Sequence, residues 1–270
     1  MIRILLSTLL ATAAAHAASG ELRDSAVRIS QAHRDAVVWI SVVAKTSMSV
    51  DGDAPAQVKA QLAGQEREST VEATGTFIDE KGLLVTALAR LDQSSMVDGK
   101  TVNTPAGPIR LKAESQIKEV KVIMPDGTEI PADLVLKDAD LGLAFIQLRM
   151  GSDEAKGVKI HAVDLTQVAE GKLLDDCVAL SRLDESFNRE PSVITSEITG
   201  ITTRPRTFYR VMTDSIGCPV FLSNGKLLGL TVVRKPSGDI SDGKMSLSPV
   251  VLPAADIVRI AEQAKAAPKE

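Results

Sequence analysis

The chain has 270 residues, with 31 Lys and Arg against 35 Asp and Glu and a formal net charge of −4. That acidic balance, with an aromatic content of 3%, excludes a nucleic-acid surface, which needs basic clusters interleaved with stacking rings. The length allows one large all-β domain or two lobes.

Residues 1–17 read as an export signal. Arg3 precedes an apolar run from Ile4 to Ala15, and the small residues of Ala15-His16-Ala17 supply a cleavage site. The run is shorter than the ~20 apolar residues a bilayer span requires. Cleavage after Ala17 is therefore expected, leaving no integral membrane segment and giving a secreted or periplasmic protein. Residues 18–35 carry an N-terminal helix, because Leu22, Ala26, Val27, Ile29 and Ala32 recur at helical spacing among charged residues.

Ala36 to Val43 is a continuous β-branched run with the only tryptophan, which predicts a buried strand. Ser47 to Thr70 is polar and predicts a long surface loop with a helical fragment. Val71 to Leu91 predicts strand, turn at Asp79–Gly82 and strand, and Asp92 to Thr104 a loop. Further strands are expected at Ile109–Met124, Glu129–Leu136, Leu141–Leu148, Leu173–Leu183, Val193–Ile201 and Tyr209–Met212. Pro219 to Leu230 reads as a hairpin whose Asn224-Gly225 turn needs positive φ at both residues. Lys235 to Lys244 is rich in turn residues. A helix at 254–265 opens after Pro253, with Ile257, Val258, Ile260 and Ala261 forming its stripe.

Cys177 and Cys218 are the only cysteines. They read equally as one disulfide of an oxidising compartment or as two small buried apolar side chains. No C-x-x-C, H-E-x-x-H, P-loop, G-x-S-x-G or EF-hand pattern occurs, so no metal and no cofactor is expected. Asp51-Gly52-Asp53 reads as a solvated turn rather than a calcium site.

Several blocks resemble one family. Gly75-Thr-Phe-Ile-Asp79 with Gly82-Leu-Leu-Val-Thr86 is similar to G-S-G-F-I-I-x-x-x-G-x-I-L-T-N-x-H of the Deg/HtrA-type trypsin-like serine proteases. Val122 to Gly127 with Pro131-Ala132, Gly142 to Leu148, Leu174 to Leu180, and Ser248 to Pro253 follow that family's order. Thr213 to Leu230 resembles its nucleophile hairpin, T-D-x-x-x-x-G-N-S-G-G-P-L-V followed by a turn and G-x-x-I-G-I. The resemblance implies an all-β fold of two antiparallel six-stranded β-barrels with terminal helices, spanning 36–265. The first barrel is expected at about 36–150, the second at about 160–253, and no PDZ domain is expected.

Carried over residue by residue, the resemblance puts Ala89 in the histidine slot, Gly142 in the aspartate slot and Ile216 in the serine slot. Asp214 takes an oxyanion-hole glycine position. A hydrolytic site needs an imidazole, a carboxylate to orient it, a nucleophile and backbone donors for the oxyanion. None of the three slot residues supplies one of those groups. Asp140 is the one carboxylate that a slip could bring in, and Ser215 neighbours the serine slot. The remaining histidines, His33 and His161, are read as solvated residues.

The expectation is an exported serine protease homologue without proteolytic activity. It would bind protein or peptide along Thr231, Val232, Val233 and Arg234, the strand that holds substrate in trypsin-like proteases. Acting as a partner subunit of an active relative is the companion reading. The alternatives are a purely structural envelope protein and an active endopeptidase with a non-standard site. Arg204, Arg206 and Arg210 form a basic cluster that could receive an acidic peptide end, though surface solubility accounts for it more simply.

Overall fold

A computed structural model of the chain describes residues 20–51, 56, 59–60, 66–92, 94–104, 107–213, 215–234 and 248–267. The signal segment 1–17, Asp214, Gly52-Asp53 of the acidic turn and the turn-rich stretch from Lys235 to Lys244 lie outside the described residues.

Two antiparallel barrels account for nearly all the strand. The first contains β1 (Val37–Asp51), β2 (Glu66–Phe77), β3 (Leu83–Ala87), β5 (Gly107–Ile123), β6 (Glu129–Asp138) and β7 (Leu143–Leu148). They run in the order β1-β2-β3-β7-β6-β5, and pairing of β1 with β5 closes the ring, with β4 (Thr101–Thr104) attached outside β5. The second is a closed barrel of β8 (Asp176–Arg182), β9 (Pro191–Thr202), β10 (Phe208–Val211), β11 (Pro219–Leu222), β12 (Leu227–Arg234) and β13 (Ser248–Pro253). The double six-stranded barrel expected from the resemblance is the observed fold.

Each barrel has its own core. Val38, Ile40, Val42, Phe77, Val122 and Ile146 fill the first, and Cys177, Ile198, Val220, Leu228 and Val251 the second. Burying such β-branched and aromatic side chains contributes about 1.5–3 kcal/mol each. A third cluster joins the two. Leu83, Val85, Leu143 and Phe145 of the first barrel meet Leu230, Val232 and Leu252 of the second, covered by Ile257, Ile260, Ala261 and Ala264. Those last four form the apolar stripe of the C-terminal helix Ala254–Ala266. The N-terminal helix, residues 20–33, lays Ala26 and Ile29 on Phe221 and Leu227 of the second barrel.

Four expectations need correction. The polar stretch from Ser47 to Thr70 is not mostly loop. β1 runs on to Asp51 and β2 starts at Glu66, paired as far as Ser47 opposite Glu66. Glu66, Arg67 and Glu68 are exposed, and in this stretch of β1 only Met48 and Val50 alternate with polar residues, so the period-2 signal of a half-buried strand is short here. The stretch from Asp92 to Thr104, read as loop, contains the short helix Ser94–Val97 and β4.

The hairpin turn also differs. Only Gly225 has positive φ (86°), and the Gly225 N–H donates to the Leu222 carbonyl at 2.8 Å. The turn therefore has Ser223 and Asn224 at its centre, followed by a left-handed glycine. This is the bulged three-residue hairpin loop, not the mirror-image two-residue turn. The Asn224 side chain accepts from the Lys226 N–H at 3.0 Å, which explains the asparagine without positive φ.

His33, finally, is not simply solvated. Its ring stacks on Phe221 with centroids 4.8 Å apart and planes inclined by 11°, and the burial lowers its pKa. His161 is exposed, as expected.

Candidate functional site

β3 ends at Ala87 and the chain turns at once into a single helical turn, Leu88–Leu91. This places Ala89, the residue in the histidine slot, at the mouth between the barrels. The Leu88 N–H donates to the Gly142 carbonyl at 2.8 Å, which fixes the aspartate slot beside it. Ala89 and Gly142 line one cavity of about 270 Å³ together with Asp140, Arg206, Val232, Val233 and Arg234. Among the slot residues, then, Ala89 and Gly142 are brought together. Their short side chains leave open the space between them.

Ile216 is not part of that lining. Its side chain packs against the interbarrel cluster, and its carbonyl accepts from Thr74 Oγ1 at 2.9 Å. The backbone here is held by buried hydroxyls. Thr86 Oγ1 donates to the Thr74 carbonyl at 2.6 Å, and Cys218 Sγ lies 3.1 Å from Thr74 Oγ1. Since the one proton of the Thr74 hydroxyl goes to Ile216, the thiol is the donor to Thr74. The Gly217 N–H donates to the Thr231 carbonyl at 2.8 Å and the Thr231 N–H to the Cys218 carbonyl at 2.9 Å. Ser215 is turned toward the second barrel, where its hydroxyl accepts from Ser181 Oγ at 2.6 Å.

The four peptide-binding candidates separate on this geometry. Thr231 is fully buried, and its backbone is used by Gly217 and Cys218. Val232, Val233 and Arg234 reach the cavity. Backbone direction alternates along a strand, so Val233 points its polar groups to the same side as Thr231. Its carbonyl oxygen lies 3.7 Å from where a Cβ on Gly142 would be. On its other side Val233 is opposite Pro249, which has no N–H to offer.

Charge at the rim comes from Arg206, paired with Asp140, and from Arg234, whose guanidinium lies 5.6 Å over the Phe208 ring. Asp140, the one carboxylate a slip could rescue, has an 81% exposed side chain on this ion pair. Arg204 and Arg210 are exposed and outside the cavity lining. The pairing of Asp140 with Arg206 and the backbone direction of Val233 were not legible in sequence. Both depend on which strands meet across the barrels.

No disulfide joins Cys177 to Cys218, and both side chains are buried thiols. Cys177 stands opposite Leu222 in the ladder of β8 and β11. Cys218 is four residues back along the chain, on the order of 13 Å at the rise of a strand. A disulfide requires Cα atoms about 4.4–6.8 Å apart. Among the described residues no group of His, Cys, Asp and Glu could hold a metal ion, and no helix is long and apolar enough to cross a membrane.

No curated protein matches the chain in sequence. Residues 73–230 match the model of the trypsin-like peptidase domain, and with the double barrel and the interbarrel cleft in hand, the chain belongs to that family.

Proposed function

We propose that this is a proteolytically inactive, Deg/HtrA-like member of the family that holds an extended peptide in the interbarrel cleft. The observation that carries the reading is the cavity between Ala89, Gly142 and Val233. Among the described residues it leaves the strand edge at Val233 without a pairing strand and has room for side chains, and its slot residues contribute no imidazole, carboxylate or hydroxyl. Backbone pairing along Val232 to Arg234 needs no catalytic residue. The apolar lining would take an aliphatic side chain and Arg206 an acidic group, in exchange for Asp140. The order of the motifs supports the Deg/HtrA-like assignment, and the stretch from Arg3 to Ala17 supports export.

The test uses the purified chain from residue 18 onward. Labelled casein should remain uncut, and a serine-directed fluorophosphonate should leave no adduct. Labelled extended peptides should slow hydrogen exchange at residues 232–234, and Ala89→Trp, which fills the cavity, should abolish that protection. Turnover of casein that the phosphonate abolishes would overturn the inactive reading. Protection of residues 232–234 that survives Ala89→Trp would overturn the cleft. Recovery of a mature N-terminus at Ala18 from the cell envelope would check export.

A further inference from the structure

A second groove lies along the first barrel and shares no lining residue with the cleft. β5 pairs with β6 only from Val120 opposite Ala132 to Ile123 opposite Glu129. Beyond that point the strands part. β6 continues to Asp138 with β7 on its other edge, and β5 continues in the opposite sense with β1 on its other edge. Two irregularities occur where they separate. The β1–β5 register skips Lys118, and the β6–β7 register skips Val135. A bulge in each strand increases local twist and bends the strand. Between them opens a groove of about 1250 Å³.

The facing edges carry backbone groups that need partners. Along residues 114–119 of β5 and 133–138 of β6, no backbone bond bridges the groove among the described residues. An unpaired strand edge is a template for another strand, and here two edges face each other. The walls carry partly buried apolar side chains, Ile117 and Leu134 against the core of the first barrel and Val135 against the interbarrel cluster. The volume exceeds the roughly 300–1,000 Å³ typical of small-molecule clefts, and the two strand edges that line it suit an extended chain.

Charge selects among such chains. Of the carboxylates lining the groove, Asp133 is paired with Arg149 and Glu119 with Lys121. Lys137 is paired with Asp92. Lys81 and Lys118 are exposed and have no carboxylate partner among the described residues. Lys118 stands two residues beyond the last β5–β6 pair, and Lys81 neighbours Gly82, whose carbonyl accepts from Leu148 opposite Ala132, so this positive charge lies at the closed end of the groove.

We propose that the wedge between β5 and β6 is a strand-addition site for an extended segment of another protein, with apolar residues at alternate positions and a carboxylate at the end that reaches the closed end of the wedge. Such a segment supplies hydrogen bonds to the open edges, covers Ile117, Leu134 and Val135, and places an acidic side chain near Lys81 and Lys118. The site is separate from the interbarrel cleft and stands whether or not the cleft binds peptide.

The probe is the fluorescein-labelled peptide Glu-Val-Thr-Val-Thr-Val-Glu, used with the purified chain. Polarisation should show saturable binding, and hydrogen exchange should slow at residues 114–119 and 133–138. The double substitution Lys81→Glu and Lys118→Glu should weaken binding at least tenfold at low salt, with the melting temperature checked for an intact fold. A peptide with lysine ends, or with proline at its central residue, should bind at least tenfold more weakly. Ala89→Trp in the cleft should leave this binding unchanged. The proposal fails if exchange slows elsewhere, if the lysine-ended peptide binds equally well, or if no binding is seen. It fails too if residues 114–119 are already protected in a concentration-dependent dimer, since the occupant is then a second copy.

Discussion

Arg182, the last residue of β8 in the second barrel, donates from Nε to the carbonyl of Val37, the first residue of β1 in the first. The same guanidinium donates to the carbonyls of Arg189 at 3.0 Å and Arg34 at 3.2 Å. It is 8% exposed and has no carboxylate in contact among the described residues. Burial lowers its pKa, opposed by the fields of Asp35 and Glu190. Three carbonyls in a fixed fork suit a planar guanidinium and not an ammonium. Arg182→Met should therefore cost about 3 kcal/mol, since it strands buried acceptors that had bonded a charged donor. Arg182→Lys should recover only part of that loss. Urea unfolding of both variants checks the order, and equal stability of the wild type and Arg182→Met would refute it.

Gly217 and Gly225 both have positive φ, 89° and 86°, yet substitution should separate them. A Cβ on Gly217 would lie 2.6 Å from the Thr74 carbonyl oxygen and 2.8 Å from Thr86 Oγ1, whereas one on Gly225 meets nothing within 4 Å. Gly225→Ala should cost about 1 kcal/mol for the left-handed backbone alone. Gly217→Ala must also displace backbone at the knot of hydroxyls, so it should cost at least twice as much. Denaturant midpoints of the two variants make the comparison, with similar losses contradicting it.

The contrast between those glycines shows what a sequence carries. The hairpin from Pro219 to Leu230 was legible because apolar runs flank Asn224-Gly225, and local chemistry fixes a turn. The double barrel was legible through ordered motifs; strand count alone would have fitted a sandwich as well. The pairing of Ser47 to Asp51 with Arg110 to Glu114, and of Glu66 to Thr70 with Val43 to Ser47, was not legible. Polar side chains outnumber apolar ones in these stretches, and the pairing is a matter of backbone bonds between distant segments. His33 was misread for a related reason. The ring that buries it, Phe221, is far along the chain, and periodicity within a helix says nothing about what the helix lies against.

The cysteines give a chemical test of the second core. Burial, and then the nearby charges of Asp175 and Asp176, push the Cys177 thiol up to about 12. A thiolate is the reactive form, so a thiol-exchange reagent at pH 8 should not modify Cys177 in the folded chain. In urea both cysteines should react, giving two equivalents without prior reduction. The melting temperature should be the same with and without dithiothreitol. A reductant-dependent melt would mean that the two are bonded.

His33 should make stability depend on pH in one direction. Its folded pKa lies below the usual value near 6.5 because burial against Phe221 disfavours the cation. The native state therefore binds fewer protons than the unfolded chain over that interval. Stability is fully present above about pH 6.5 and falls as pH drops through the lowered pKa, with a slope of at most about 1.4 kcal/mol per pH unit from this one group. His33→Phe keeps a ring on Phe221 and should remove that part of the slope. Parallel stability profiles of wild type and variant between pH 5 and 7 would show that the histidine is not the cause.

Placing triad side chains in the three slots that the resemblance assigns should not produce hydrolysis. In the variant Ala89→His, Gly142→Asp and Ile216→Ser, the first two changes enter the cavity, because both positions line it. The third does not follow. The side chain at position 216 packs into the interbarrel cluster, and its carbonyl is fastened to Thr74. A hydroxyl placed there faces apolar side chains instead of the new imidazole, and a base accelerates attack only within about 2.6–3.2 Å of the proton it takes. Replacing a partly buried isoleucine by serine also removes apolar contact, at a cost of about 2 kcal/mol. Casein hydrolysis by the triple variant should stay at background while its melting temperature falls. Hydrolysis well above background would mean that the hairpin can turn residue 216 toward the cleft, and with it that the wild-type chain lacks only the side chains and not the geometry.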